Sequence, residues 1–142
     1  MVLKSFAKIN LTLSVIKKMA SGLHDIQSLF CLVNLSDKIY IKKMNNKKID
    51  EISFRGPFSK MVKKNENSIK KILRIMRQKN MIFNYYSIKV IKNIPVFSGF
   101  GGGTSNAATI LKYLMNKKIE KKIIEEFTNK IGSDLRLFFY KQ

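Results

Sequence analysis

The stretch IPVFSGFGGGTSNAA, residues 94–108, decides the fold of this 142-residue chain. Four of the chain's seven glycines lie within it, at positions 99, 101, 102 and 103, and it joins a strand-like segment to a helix-like one. Glycine adopts positive φ readily and lets another group approach the backbone closely. Thr104 and Ser105 stand where a helix would begin, with free N–H groups and the positive end of the helix dipole. The pattern favours an anion-binding loop, most simply for nucleotide phosphates, over a flexible glycine turn capped by threonine.

Two well-known phosphate loops do not fit these glycines. No Gly-Lys-Ser/Thr follows them, so the stretch is not a Walker A motif. The glycine spacing also differs from the dinucleotide-binding fingerprint, and no acidic residue closes a second strand about 20 positions further on. The loop therefore belongs to another class.

The composition predicts a globular chain without a membrane anchor. The hydrophobic content is 45%, and no stretch approaches the roughly 20 apolar residues of a membrane span. Lys4, Lys8 and Asn10 interrupt any signal-peptide core at the N-terminus. The single cysteine, Cys31, cannot form an internal disulfide. We expect a cytoplasmic protein.

The net charge of +19 raises the question of nucleic-acid binding. The positive residues, however, are spread along the whole chain and form no single basic arm. A small anionic substrate, which the same positive field would attract, is the simpler expectation.

Alternating residues predict several strands in the first half of the chain. Residues 7–15 form a half-buried strand with Lys8 and Asn10 on its polar face. Residues 29–35 and 38–43 predict two strands separated by a turn at Ser36 and Asp37, residues 45–50 a solvated hairpin loop, and residues 52–54 a short strand.

Helical periodicity dominates the second half. Asn67 begins a helix with an apolar stripe, a strand runs into Pro95, and two helices follow the glycine loop, of which Gly132 ends the second. Residues 135–140 predict a final strand. The expected fold class is α/β (α+β), a mainly antiparallel sheet with packed helices.

Four segments together resemble the GHMP kinases. The phosphate loop of that family reads Pro-x-x-x-Gly-x-Gly-x-x-Ser-Ser, followed by small residues, and residues 95–108 are similar to it. FAKINL at residues 6–11, GLHDIQSLF at 22–30 and GSDL at 132–135 resemble other family motifs in the family's order. The resemblance implies the N-terminal ATP-binding domain of that fold over residues 1–142, with the family's C-terminal domain absent.

The resemblance also implies the site. Asp134 would be the catalytic base and Lys8 its partner; the alternative is an aspartate that caps its own turn and a solvated lysine. Substrate binding would fall to His24, Asn10 and Leu23. Nucleotide binding would fall to Pro95, Ser98, Gly99, Gly101, Gly102, Gly103, Thr104, Ser105, Asn106 and Asn67, although Asn67 could equally be only a helix N-cap.

Leu23, Phe97 and Arg136 are among the residues that depart from the family pattern. Leu23 replaces the tyrosine that stacks on the substrate base, so π contact is lost. Phe97 replaces a glycine at the loop entrance. Arg136 replaces a proline, where a guanidinium could bind phosphate or pair with Asp134.

The activity that the resemblance implies is ATP-dependent, magnesium-assisted phosphorylation of a cytidyl diphosphate sugar alcohol in non-mevalonate isoprenoid biosynthesis. The alternatives are another GHMP kinase, such as a homoserine or mevalonate kinase, and an inactive, basic nucleic-acid-binding module. The motif around His24 favours the first activity over the other kinases.

Overall fold

The computed structural model describes residues 1–18, 22, 24–116 and 119–140. Within them lie four strands, β1 (Val2–Lys18), β2 (His24–Met44), β3 (Glu51–Arg55) and β4 (Tyr85–Ile91). The three α-helices are α1 (Ser68–Gln78), α2 (Gly102–Met115) and α3 (Lys121–Ile131). Two 3₁₀ helices span Ser59–Met61 and Ser133–Phe139.

The strands form one sheet in the order β1-β2-β4-β3. The β1–β2 and β2–β4 pairs are antiparallel, and β3 pairs with β4 in parallel. The helices pack against this sheet around one core, so the predicted class, a mainly antiparallel sheet with packed helices, is confirmed. The apolar stripe of α1 is buried as its 3.6-residue period predicts, through Ile69, Ile72, Leu73 and Met76.

The two strands and the turn predicted for residues 29–43 are wrong, because β2 is continuous there. Its polar pair Ser36 and Asp37 lies within the strand, and Asp37 is fully buried. The register jumps between the pairs Ala7↔Val33 and Phe6↔Ser36, so β2 carries extra residues at this point. A bulge accommodates the polar residues that resembled a turn.

The side chains that β1 buries are not all the ones predicted. Ala7 is buried as expected, but Lys8 is buried too, and Leu11, Leu13 and Val15 are more than half exposed. Beyond residue 9, the described part of β1 pairs with the start of β2 and with no other described strand, and two further register shifts follow. This two-stranded ribbon extends past the rest of the sheet, so alternation along it does not mark a core face.

Two further expectations are corrected. Residues 45–50 do not close a hairpin, because β3 pairs with β4 rather than with β2. The last segment is a 3₁₀ helix rather than a strand. Its buried residues Leu135 and Phe138 are three apart, which matches three residues per turn.

Candidate functional site

The glycine loop connects β4 to α2 and has the conformation that its glycines permit. Gly99 and Gly101 have φ of 78° and 66°, in the left-handed region. Gly101 is the N-cap of α2, and the Thr104 hydroxyl donates to its carbonyl at 2.8 Å. The first N–H groups of α2 therefore point out of the helix beside the loop, as an anion site requires.

Gly102 and Gly103 are glycine for different reasons. A Cβ on Gly102 would lie 2.8 Å from Lys92 Nζ and 2.9 Å from Ile94 Cγ2, so close packing excludes a side chain there. A Cβ on Gly103 would meet nothing nearer than Ser68 Oγ at 3.4 Å. Gly103 is exposed and helical, where alanine would be favoured by propensity. Packing therefore does not explain this glycine, whereas a ligand that approaches the backbone would.

A cavity of about 380 Å³ lies over the loop. It brings together most of the predicted nucleotide-binding residues with the segment that carries Asp134. The predicted residues that line it are Pro95, Ser98, Gly99, Gly101, Gly102, Gly103 and Thr104.

Ser105 and Asn106 do not line this cavity. Both are buried. The Ser105 hydroxyl donates to the Phe6 carbonyl and accepts from Ser5, both at 2.7 Å. These bonds attach α2 to β1, so Ser105 has a structural role whatever else it does. Asn106 Oδ1 has no hydrogen-bond partner within the described part of the chain.

Lys8 and Asp134 meet beside the loop. Lys8 Nζ lies 3.3 Å from Asp134 Oδ2 and donates to Asn10 Oδ1 at 3.2 Å. The Lys8 side chain is 6% exposed, and the Lys8 backbone N–H donates to the Phe100 carbonyl at 3.0 Å. The structure therefore gives Lys8 a buried, paired position rather than the solvated one that was the alternative.

A second cavity, of about 420 Å³, adjoins this pair. Asp134 lines both it and the loop cavity. Arg136 also lines the second cavity but forms no ion pair with Asp134; among the described residues, Lys8 is that carboxylate's ionic partner. The remaining lining residues are Lys8, Asn10, Leu13, Ile26, Ser28, Phe30, Ser133, Leu137 and Tyr140.

The other predicted residues are dispersed. Asn67 is the N-cap of α1, where its side chain accepts from the Lys70 N–H at 3.1 Å, and it shares a cavity with Gly103 and Thr104. His24 is exposed at the far end of the ribbon, opposite Lys18, and does not line the second cavity. Leu23 lies outside the described residues.

Sequence reasoning missed two residues of the site, Asp37 and Lys92. Lys92 lines the loop cavity and forms a buried ion pair with Asp37. The available signal was an aspartate within a segment of strand-like alternation, which was interpreted as a turn.

Phe97, at a position where the resemblance implies glycine, has a backbone conformation that favours glycine. Its φ is 63°, which costs a non-glycine residue about 1–2 kcal/mol, and its side chain is 86% exposed. The departure therefore strains the loop entrance, while the glycines that follow keep their left-handed conformation.

The sequence profile of the GHMP kinases N terminal domain matches residues 67–140, which is more than half of the chain. The chain therefore belongs to the GHMP kinases.

Curated relatives and a solved structure show which GHMP kinases this chain resembles. The chain is 44% identical, over 95% of its length, to the 4-diphosphocytidyl-2-C-methyl-D-erythritol kinase of Pelagibacter ubique, of which it covers 48%. It is 38% identical, over 97% of its length, to the enzyme of that name from Ureaplasma parvum, of which it covers 52%. The chain thus spans about half the length of these relatives.

A crystal structure of 4-(cytidine 5'-diphospho)-2C-methyl-D-erythritol kinase matches 98% of this chain with a TM-score of 0.72 at 25% identity, over 48% of that structure's chain. Mevalonate kinase from Staphylococcus aureus shares the fold, with a TM-score of 0.57 over 92% of this chain and 42% of that one, at 16% identity. No described helix has the length and apolarity that a membrane crossing needs.

Proposed function

We propose that this chain is the nucleotide-binding half of a cytoplasmic kinase that transfers the γ-phosphoryl group of ATP to a hydroxyl of 4-diphosphocytidyl-2-C-methyl-D-erythritol. One observation carries the proposal. Asp134, paired with Lys8, lines both the glycine-loop cavity and the adjoining cavity. A carboxylate at the junction of a phosphate site and a second site can serve a transfer between them.

The chemistry follows from these positions. The N–H groups at the start of α2 would hold the nucleotide phosphates. An acceptor hydroxyl in the second cavity would give its proton to Asp134 as its oxygen bonds the γ-phosphorus, while the bond to the β-phosphate oxygen breaks and ADP leaves. Lys8, whose ammonium lies 3.3 Å from Asp134 Oδ2, would keep the carboxylate oriented until the hydroxyl is in place.

Magnesium would arrive with the nucleotide. Asp134 is the one carboxylate among the described residues that line the loop cavity, and no cluster of three metal-ligating side chains lies within the described part of the chain. The donor set therefore suits an ion held mainly by phosphate oxygens, which would neutralise charge during transfer.

We further propose that residues 1–142 are the N-terminal ATP-binding domain and that a C-terminal domain completes the site. The share of the relatives' length that the chain covers, about half, supports this. A second domain would enclose the acceptor and exclude water, so the 142-residue chain alone should turn over poorly.

His24, with Leu23 and Asn10, would bind the cytidyl part of the acceptor in the completed protein. Asn10 supports this, because it lines the second cavity. His24 would need ligand or domain contacts to join it there.

A kinase assay on a protein completed with the C-terminal half of the Pelagibacter ubique relative tests the proposal. Asp134→Asn should lower kcat roughly 10²–10⁴-fold and change the KM for ATP little, because it removes the proton acceptor and keeps the shape. Lys8→Ala should act similarly, and the double variant should be little worse than either single variant. Glu126→Gln, which removes a carboxylate of α3 outside both cavities, is the control.

Full activity of Asp134→Asn would contradict the assigned base. Transfer to mevalonate or homoserine instead of the cytidyl substrate would favour another GHMP kinase. Salt-dependent nucleic-acid binding with no ATP affinity would favour a nucleic-acid-binding module.

A further inference from the structure

A buried ion pair beneath the glycine loop has no part in the proton transfer proposed above. Lys92 Nζ lies 2.5 Å from Asp37 Oδ2, and the two side chains are 4% and 0% exposed. Removing two charges from water is costly, and apolar residues of similar volume often stabilise a fold at least as well. Stability alone is therefore a weak reason for this pair.

The other oxygen of Asp37 fixes the backbone where the loop begins. Asp37 Oδ1 accepts hydrogen bonds from the N–H groups of Asn93 at 2.8 Å and Ile94 at 2.9 Å. β4 ends at Ile91, so neither N–H has a sheet partner. One carboxylate thus sets the direction of the chain immediately before Pro95.

Lys92 carries the effect of Asp37 into the loop itself. Its ammonium is so close to Gly102 that a Cβ there would lie 2.8 Å from Nζ, and it lines the loop cavity. A cation beside a helix N-terminus opposes the positive end of the helix dipole. The Asp37 carboxylate offsets that repulsion and keeps the ammonium under the place where phosphates would bind.

We propose that Asp37 is a positioning residue for nucleotide phosphates. Through Lys92 and the two backbone bonds, it holds the glycine loop in its phosphate-accepting shape and keeps a cation at the base of the loop. The proposal rests on the nucleotide binding proposed above and adds to it one residue of β2 and one residue that directly follows β4.

The chain contains a matched control in Asp50 and Arg77. Asp50 accepts two bonds from the Arg77 guanidinium, at 3.0 and 3.1 Å, and one from the Tyr86 N–H at 2.9 Å. It therefore also joins a cation to the backbone of β4, but near the start of that strand. Neither Asp50 nor Arg77 lines the loop cavity.

The experiment compares Asp37→Asn with Asp50→Asn in the 142-residue chain. Circular dichroism gives Tm, and calorimetry gives the dissociation constants of ATP and inorganic tripolyphosphate at a temperature where each variant is folded. We expect both variants to lose thermal stability. Asp37→Asn should weaken both ligands about tenfold or more, and Asp50→Asn should leave both within about twofold.

A double variant, Asp37→Asn with Lys92→Met, separates positioning from folding. It leaves no unpaired buried charge, so it should stay folded even where Asp37→Asn does not. We expect it to bind ATP about tenfold or more weakly, because the cation at the base of the loop is gone.

Three results would overturn the positioning role. The first two are an ATP affinity within about twofold of the parent in the double variant, or in Asp37→Asn where that variant is folded. The third is a loss of ATP affinity in Asp50→Asn equal to the loss in Asp37→Asn. In each of these the parent still binds ATP, so the proposed function stands. A parent chain that binds neither ATP nor tripolyphosphate would overturn the nucleotide site and the positioning role together.

Discussion

Replacing Gly103 with alanine should leave the fold intact and impair nucleotide binding. Replacing the neighbouring Gly102 with alanine should destabilise the fold and also impair nucleotide binding. The same small change is made at consecutive residues of the first turn of α2. At Gly102 the new Cβ would lie 2.8 Å from Lys92 Nζ and 2.9 Å from Ile94 Cγ2. At Gly103 its nearest neighbour would be Ser68 Oγ, at 3.4 Å.

These distances predict opposite effects on stability. Overpacking at Gly102 should cost about 1–3 kcal/mol, which lowers Tm by about 3–10 °C for a chain of this size. At Gly103 the contact is ordinary, and replacing a helical glycine by alanine contributes up to about 1 kcal/mol. The Tm of Gly103→Ala should therefore be unchanged or higher by up to about 4 °C.

ATP binding should weaken in both variants. A phosphate that lies against the backbone of Gly103 would meet the added methyl group, and a loss of about 1.4 kcal/mol or more would raise the dissociation constant at least about tenfold. Calorimetric titration with ATP, next to a thermal melt of each variant, measures both effects. Parent-like ATP affinity in Gly103→Ala would refute the argument that a ligand, rather than packing, requires this glycine.

Two further predictions concern residues away from the loop. His24→Ala should weaken binding of cytidine diphosphate about tenfold and leave ATP affinity nearly unchanged, as measured by calorimetry on the completed protein; equal loss of both ligands would indicate a structural histidine. Hydrogen bonds from Lys79 and then Lys130 lower the pKa of Glu126 below its ordinary value near 4.5, so its contribution to stability is present above that value and lost as pH falls through the lowered pKa. Glu126→Gln should therefore lower Tm at pH 7 and have no effect on it near pH 2, and an equal Tm loss at both pH values would contradict the linkage.

The sequence predicted best where local chemistry determines structure. The stripe of α1 and the end of α3 at Gly132 follow from periodicity and backbone preference, and both are present. A helix follows the loop as predicted, but it begins at Gly102, two residues before Thr104. The left-handed conformations of Gly99 and Gly101 likewise follow from the sequence, because few residues other than glycine adopt positive φ readily.

The sequence failed where a distant partner determines structure. Asp37 resembles a turn residue until Lys92, 55 positions away, supplies its counter-charge inside the fold. Residues 135–140 are almost all apolar, so their period is ambiguous, and in the fold the segment contacts both α2 and α3. The ribbon beyond residue 9 has a strand pattern, but pattern alone does not reveal that none of the other described strands extends beside it.

The burial of Lys8 depends on both the local sequence pattern and a partner distant in the sequence. Alternation placed its side chain on the polar face of β1, and this is the face on which Asp134 and Asn10 approach it. Alternation alone could not show that the N-terminal end of α2 lies against this part of β1. Ser105 bonds to the backbone of Phe6, and Phe100 accepts from the backbone of Lys8, so the glycine loop covers this part of β1. Lys8 is thus buried on an otherwise exposed polar face, because the loop that would bind phosphate also encloses the lysine beside the proposed base.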